Sequence, residues 1–276
     1  ATGRIEDLPP GIAQAAVVAT PPAGRATTIR QLLDGGCAII VVEKPLADSY
    51  DEGRRIVDAC AAAGATLRVN FNRRFDPAYR RFRARLPGRP LALVAVYGKG
   101  LRNYASHMID LVMEWFGPVV AAQALCGQPL GDGDPSIAFR VALRDGPDLI
   151  ATGIDGIAYD QFELDLYFRD RRFQLANGGA EKRCSTGVSG WLYPSYVHLA
   201  PGQLIEPVTP VGGYRELHEA IWQHLSVGTP MPGCTGPEAL TNLLVELALR
   251  RSAADGGRAV SLLELAASAP FSGTIT

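Results

Sequence analysis

Asn103, His107 and Asp110 are polar residues of this 276-residue sequence at helical spacing, and the imidazole of His107 is the group among them suited to exchange a proton near neutral pH. Four and three residues apart, they would share one face of a helix, opposite a packing stripe of Leu111, Val112 and Trp115. An imidazole exchanges a proton near neutral pH, and a carboxylate such as Asp110 could orient it and fix its tautomer. A hydrogen-bonded core histidine near a helix start is the plainer alternative. Just upstream, Lys99, Arg102 and Tyr104 are candidate binders of hydroxyl or acid groups. Earlier in the chain, Lys44 stands in a Glu43-Lys44-Pro45 turn, and Arg73 and Arg74 follow an apolar segment. Each of these cations has a surface role as its simpler reading. His198, His218 and His224 join no such pattern, and the last two lie on a polar stretch that reads as surface helix.

The elements that would carry these residues change character along the chain. Ala15–Thr20 is a short apolar run stopped by Pro21-Pro22, and Ala26–Leu33 reads as a helix closed by Gly35-Gly36. A second buried strand, Ala38–Glu43, ends at Pro45. Ser49-Tyr-Asp-Glu52 is a capping box that opens a helix running to Gly64. Thr66–Phe71 is a third strand, and Asp76-Pro77 suits the start of a helix through Arg85. Continuous apolar strands alternating with helices imply a parallel α/β sheet covered on both faces. Ligands of such sheets bind outside the carboxyl ends of the strands, where Thr20-Pro21-Pro22 and Glu43-Lys44-Pro45 fall.

From Pro90 the pattern becomes α+β. A strand over Leu91–Tyr97 and a helix over Tyr104–Phe116 precede strands near Ile137–Arg144, Asp148–Ile154, Gln161–Phe168 and Arg172–Ala176, joined by Asp/Gly turns. The expectation is an open, mostly antiparallel sheet followed by helices near Tyr214–Ser226 and Pro237–Ala254. The domain boundary is expected near Pro87-Gly88, giving parts 1–87 and 88–276. Trp191-Leu-Tyr-Pro-Ser-Tyr196 could line a pocket or an oligomer contact.

Composition narrows the function classes. A net charge of -1 with no basic run argues against nucleic acid as a partner. The longest apolar runs are strand-length, so no membrane span is expected. The five cysteines are scattered with no metal-ligand spacing, which implies no metal and reduced thiols in a cytoplasmic protein.

Taken in order, Ala19-Thr-Pro-Pro22, Glu43-Lys-Pro45, Val69-Asn-Phe-Asn-Arg-Arg-Phe-Asp-Pro77, Asn103-Tyr-Ala-Ser-His-Met-Ile-Asp110 and the closing Ser252-Ala-Ala-Asp-Gly256 resemble the Gfo/Idh/MocA family of glucose–fructose oxidoreductase and inositol dehydrogenase-like enzymes. The resemblance runs from about residue 15 to residue 262. It implies reversible hydride transfer between NAD or NADP and a sugar or polyol hydroxyl, in a homo-oligomer. By the same resemblance Lys44 lies by the nicotinamide and substrate, and His107 transfers the proton. Thr20, Pro21, Pro22, Glu43, Pro45 and Arg73 fall at the cofactor, and Arg102, Asn103 and Tyr104 at the substrate. Lys44, Asn103 and His107 are then expected around one cleft. The chain departs from the common pattern at Asn103 and Ala105, where many members carry Asp and Gly. Asn accepts no proton, which leaves that work to His107 with Lys44.

A dinucleotide site also needs a Gly-x-Gly-x-x-Gly turn and an acidic residue for the ribose, and no such turn occurs in these residues. In the family strand order 3-2-1-4-5-6, Ala15–Thr20 would be the fourth strand. With a first residue other than Met, the expectation is a truncated Rossmann-type domain, inactive as it stands. A cofactor-less sugar-binding or partner-binding protein and a structural interaction module are the alternatives.

Overall fold

The computed structural model describes residues 3–7, 9–127, 130–131, 133–190, 193–209 and 212–268. Trp191 and Leu192 of the aromatic segment noted above lie outside these. The chain begins with β1 (Ala15–Val18), α1 (Arg25–Asp34), β2 (Ile39–Glu43), α2 (Tyr50–Ala62), β3 (Thr66–Asn70) and α3 (Pro77–Arg85). It continues through β4 (Ala92–Tyr97), α4 (Ser106–Phe116), β5 (Val119–Ala124), β6 (Phe139–Leu143), β7 (Leu149–Gly153), β8 (Phe162–Tyr167) and β9 (Arg171–Ala176). There follow β10 (Glu181–Ser189), β11 (Val197–Leu199), β12 (Gln203–Leu204), α5 (Tyr214–Val227), β13 (Cys234–Thr235), α6 (Gly236–Ala254), β14 (Val260–Ser261) and α7 (Leu262–Ala267).

Two compact units result. The first holds the described residues of Ala1–Phe75, Gly213–Leu244 and Ala266–Thr276; the second holds those of Asp76–Gly212 and Val245–Leu265. The division therefore falls at Phe75/Asp76 rather than near Pro87-Gly88, and packing explains the difference. Asp76 caps α3 by accepting from the Ala78 amide at 2.8 Å. That helix then buries Tyr79 and Phe82 in the second unit, with Phe82 stacked edge-on to Phe173 at 5.9 Å. In the other direction, Leu217 and Ile221 of α5 pack with Ile39, Val41, Phe75 and Met231, which returns a late segment to the first unit.

The first unit is built on a four-stranded sheet in the order β1-β2-β3-β13. β1, β2 and β3 run parallel, with Val18 beside Val42 and Glu43 beside Asn70. β13 adds an antiparallel edge at Val69 and Arg68. Ile39, Ile40, Val41 and Val42 are at most 1% exposed, the signature of a strand covered on both faces. Ser49 accepts from the Glu52 amide at 3.2 Å, so the capping box forms as its sequence implies.

The second unit holds a ten-stranded sheet ordered β11-β10-β9-β8-β4-β7-β6-β5-β14, with β12 paired to β10. All its pairings are antiparallel except β4 with β7, because β8 occupies the other edge of β4. Residues alternate in exposure: Leu93, Ala95, Leu149 and Ala151 are buried, whereas Val94 and Ile150, opposite each other in register, are exposed. One face of the sheet therefore faces the core and the other is open at these strands.

The helix that carries His107 differs from expectation. Its α-helical part starts at Ser106, and Leu101–Ala105 forms a π-helical turn before it. The wider turn breaks the four-residue phase, so Asn103 is exposed while His107 and Asp110 are buried. Nor is there a polar face opposite Leu111, Val112 and Trp115, since Glu114 alone is exposed along α4. No helix among the described residues is long and apolar enough to cross a membrane.

Candidate active site

In the first unit, three loops leave the carboxyl ends of three adjacent parallel strands. Thr20 and Pro21 after β1 are exposed and Pro22 is half-buried; Glu43, Lys44 and Pro45 after β2 are all half-buried. The Lys44–Pro45 peptide is cis. Asn70 at the end of β3 donates from Nδ2 to Glu43 Oε1 at 2.7 Å, tying the second and third strand ends through side chains. Arg73 and Arg74 are buried, not solvated.

Arg74 is held at the start of α6, a helix expected from Pro237 whose capping box the sequence reading did not identify. Thr235-Gly236-Pro237-Glu238 is a capping box: the Glu238 carboxylate accepts from the Thr235 amide at 2.8 Å and from its hydroxyl at 2.7 Å. The same carboxylate accepts from Arg74 Nη1 at 2.9 Å. Burial pushes the Glu238 pKa up, but the Thr235 amide and the Arg74 guanidinium outweigh it and hold the carboxyl below its ordinary value of 4.5. A depressed carboxylate contributes stability that is present above its unfolded pKa and disappears as pH falls through its folded one. Glu238→Gln is expected to cost about 1 kcal/mol near neutrality, kept small because the side chain is partly exposed. Urea denaturation of both proteins over an acid pH series should show the gap closing below about pH 4. A gap constant across that range would contradict the assignment.

In the second unit, the approach to His107 is pinned by the segment 134–136. The Asp134 carboxylate accepts from the Arg102 amide at 2.6 Å and the Asn103 amide at 2.9 Å. Ser136 Oγ accepts from the Gly100 amide at 3.0 Å. Gly100 has φ +91°, and a Cβ there would fall on the Asp134 carboxylate. These bonds satisfy donors at the start of the π-helical turn.

The candidate cations of this unit already have carboxylate partners. Lys99 is ion-paired with Asp160 and lies 3.3 Å from the Tyr104 hydroxyl, which itself donates to Asp160 Oδ1 at 3.0 Å. The Asp160 hydrogen bond, then that of Tyr104, raises the Lys99 pKa. Arg102 donates from Nε to both Glu246 oxygens, at 3.2 and 3.3 Å. Glu246 also accepts from Arg250 at 3.1 Å. The sequence reading missed Asp134, Asp160 and Glu246, for they are distant in sequence from the residues they hold.

Among the described residues no group of three or more His, Cys, Asp or Glu side chains could hold a metal ion. All five cysteines are free. Burial, with the Cys37 thiol nearby, pushes Cys60 up to about 11. His218 and His224 bond backbone carbonyls of Tyr214 and Thr229 at 2.7 and 2.8 Å on α5 and its exit, away from these clusters in sequence.

Residues 5–71 match the profile of the Gfo/Idh/MocA oxidoreductase family, NAD-binding Rossmann fold. Over this segment the chain is similar to that family. The segment contains all three carboxyl-end loops except Arg73 and Arg74. A protein of Salmonella typhimurium strain LT2 named as an oxidoreductase, YceM, is 38% identical over 72 residues. That match covers 26% of this chain and spans about a quarter (23%) of the length of YceM.

Solved structures extend the likeness over both units. An oxidoreductase from Agrobacterium radiobacter, crystallised with NAD+, L-tartaric acid and magnesium, superposes with TM-score 0.70 at 17% identity, covering 95% of this chain and 83% of its own. The WlbA dehydrogenase of Bordetella pertussis, solved with NADH and UDP-GlcNAcA, gives 0.67 at 21% identity over 91% and 80%. UDP-N-acetylglucosamine 3-dehydrogenase GnnA of Acidithiobacillus ferrooxidans gives 0.72 at 15% identity over 87% and 78%. At these identities the structures establish the shared fold: a Rossmann-like parallel sheet and a second, mostly antiparallel one.

Proposed function

We propose that the protein is a nicotinamide-dependent oxidoreductase acting on a hydroxyl of a sugar or polyol, with NAD or NADP as cofactor. The observation that supports this most is the Glu43-Lys44-Pro45 turn at the carboxyl end of β2, inside the segment that matches the NAD-binding family. The residues present fit one side of such a cofactor. Pro21, Pro22 and Pro45 offer apolar ring contacts, and Lys44 offers a half-buried cation. A nicotinamide held there would supply the hydride acceptor or donor for the carbinol carbon. In the first unit Lys44 is the candidate for stabilising negative charge on a substrate oxygen, and in the second His107 is the candidate for taking a hydroxyl proton, each effect of a kind worth about two to four orders of magnitude in rate. Asn103 and Tyr104 supply hydrogen bonds for neighbouring hydroxyls. The carboxylate partners of Lys99 and Arg102 favour an uncharged sugar or polyol moiety at that position over an acid group.

These residues contain no Gly-x-Gly-x-x-Gly turn, so binding is expected through the nicotinamide end, with weak affinity. Saturation-transfer NMR with millimolar NADH should then light the nicotinamide protons more strongly than the adenine protons. Lys44→Met should remove the nicotinamide signal. UDP-N-acetylglucosamine and myo-inositol serve as the sugar and polyol probes in the same experiment. The second reading is a cofactor-less sugar-binding protein. Saturation of a sugar probe with none of NADH would establish that reading and defeat the first.

We further propose a homo-oligomer formed through the open face of the second sheet, a reading supported by the exposed Val94 and Ile150 at its centre. Analytical ultracentrifugation should show a dimer or larger, and a monomer at high concentration would contradict it.

A further inference from the structure

Arg25 is fully buried, at 1% exposure, and its guanidinium spans two loops. From Nη1 it donates to the carbonyls of Glu43 (2.6 Å), Pro45 and Leu46 (3.3 Å), and from Nη2 to the carbonyl of Thr20. Thr20 belongs to the loop after β1; Glu43, Pro45 and Leu46 belong to the loop after β2. The Glu43 and Pro45 carbonyls bracket Lys44 in the chain, so the guanidinium holds the backbone on either side of it.

Sequence chemistry explains why an arginine is needed. Pro21, Pro22 and Pro45 have no backbone N–H, so the two loops cannot be laced to each other by main-chain bonds at those positions. Their carbonyls then need a donor from elsewhere. Arginine alone among side chains presents five N–H groups in a rigid planar fork, enough to reach several carbonyls at once. Gly24, at φ +74° before α1, admits the turn that brings Arg25 in at the first position of the helix. Burial lowers the Arg25 pKa, and the nearby Glu43, Asp48 and Glu52 carboxylates oppose that and keep the charge in place.

We propose that Arg25 is a positioning residue: it clamps Thr20-Pro21-Pro22 to Glu43-Lys44-Pro45-Leu46 and so presets the backbone that presents Lys44. The clamp stands on the hydrogen bonds alone; its consequence for nicotinamide binding rests on the function proposed above. Preset loops lower the ordering cost of binding, the usual advantage of a preorganised site.

The experiment is amide hydrogen exchange on the full chain as Arg25→Lys and Arg25→Ala, with NADH saturation transfer alongside. Lysine keeps the charge and loses the fork. Both variants should exchange on the order of tenfold or more faster in peptides covering residues 19–24 and 43–49, with protection in β3 and α2 unchanged. Millimolar guanidinium should restore the slow exchange of Arg25→Ala, and ammonium should not. The nicotinamide signal should fall in both variants and return with guanidinium. Exchange that responds in this way while wild-type protein shows no nicotinamide signal keeps the clamp and defeats the cofactor reading. Unchanged exchange in both loops of Arg25→Lys overturns the clamp. So does loss of protection throughout the first unit in both variants, which would make Arg25 a general core cation.

Discussion

Gly100→Ala is expected to destabilise the protein by about 3 kcal/mol, the combined size of a disfavoured backbone and a lost helix-start contact. Gly100 sits at φ +91° and ψ 157°, a region that essentially only glycine occupies. The added methyl would also meet the Asp134 carboxylate and lie 2.6 Å from the Asp134 carbonyl oxygen. Neither can retreat cheaply, because the carboxylate is bonded to the Arg102 and Asn103 amides. The π-helical turn that presents Asn103 and leads into His107 would have to rearrange. Asp134→Ala removes the cap and the carboxylate part of the obstacle, leaving the carbonyl oxygen of residue 134, and its own cost is about 1 kcal/mol. The double variant should therefore cost less than the sum of the single ones, since the clash and the cap share one residue. Urea denaturation of the four proteins completes the cycle. Strict additivity would show that Gly100 is required for its backbone conformation alone.

The sequence exposes the frame of this fold more readily than its fastenings. The strands β1, β2 and β3 and the Ser49 capping box are local patterns, and they appear where hydrophobic runs and cap residues place them. β10 has no such run: Glu181-Lys-Arg-Cys-Ser-Thr186 becomes a strand because β9 offers it a ladder from Ala176 to Arg171. The same limit applies to the site. Lys44 and His107 stand out by motif, whereas Arg25 shows no periodic or motif signal and becomes legible only when its four carbonyl partners come together in space. The helical spacing of Asn103 and His107 misleads because a π-helical turn intervenes, and a Gly-Lys-Gly before it is the only local hint. For α6, the Thr-Gly-Pro-Glu signal of a capping box was available in the sequence.

Glu246→Ala should be the other large effect, about 3 kcal/mol, because it removes the carboxylate shared by two partly buried arginines. The Glu246 side chain is 8% exposed, and those of Arg102 and Arg250 are 18% and 20% exposed. With the carboxylate gone, two partly buried cations face each other without the charge between them, which costs more than the attraction of either pair alone. Glu246→Gln keeps the volume and one acceptor oxygen and should cost about half as much. Exposed pairs such as Arg251 with Asp255 give the contrast: Asp255→Ala should fall within about 0.5 kcal/mol of the parent. The comparison also decides what Arg102 does. A substrate-binding arginine replaced by methionine weakens sugar or polyol binding and leaves stability near the parent value. An arginine engaged in fastening α6 behaves in the opposite way. The bonds from Arg102 Nε to both Glu246 oxygens place it in the second class. Arg102→Met is therefore expected to destabilise by about 1–2 kcal/mol, with strong coupling to Glu246→Gln in a double-mutant cycle. Stability unchanged by Arg102→Met, accompanied by weaker saturation of the sugar probe, would return Arg102 to the substrate site.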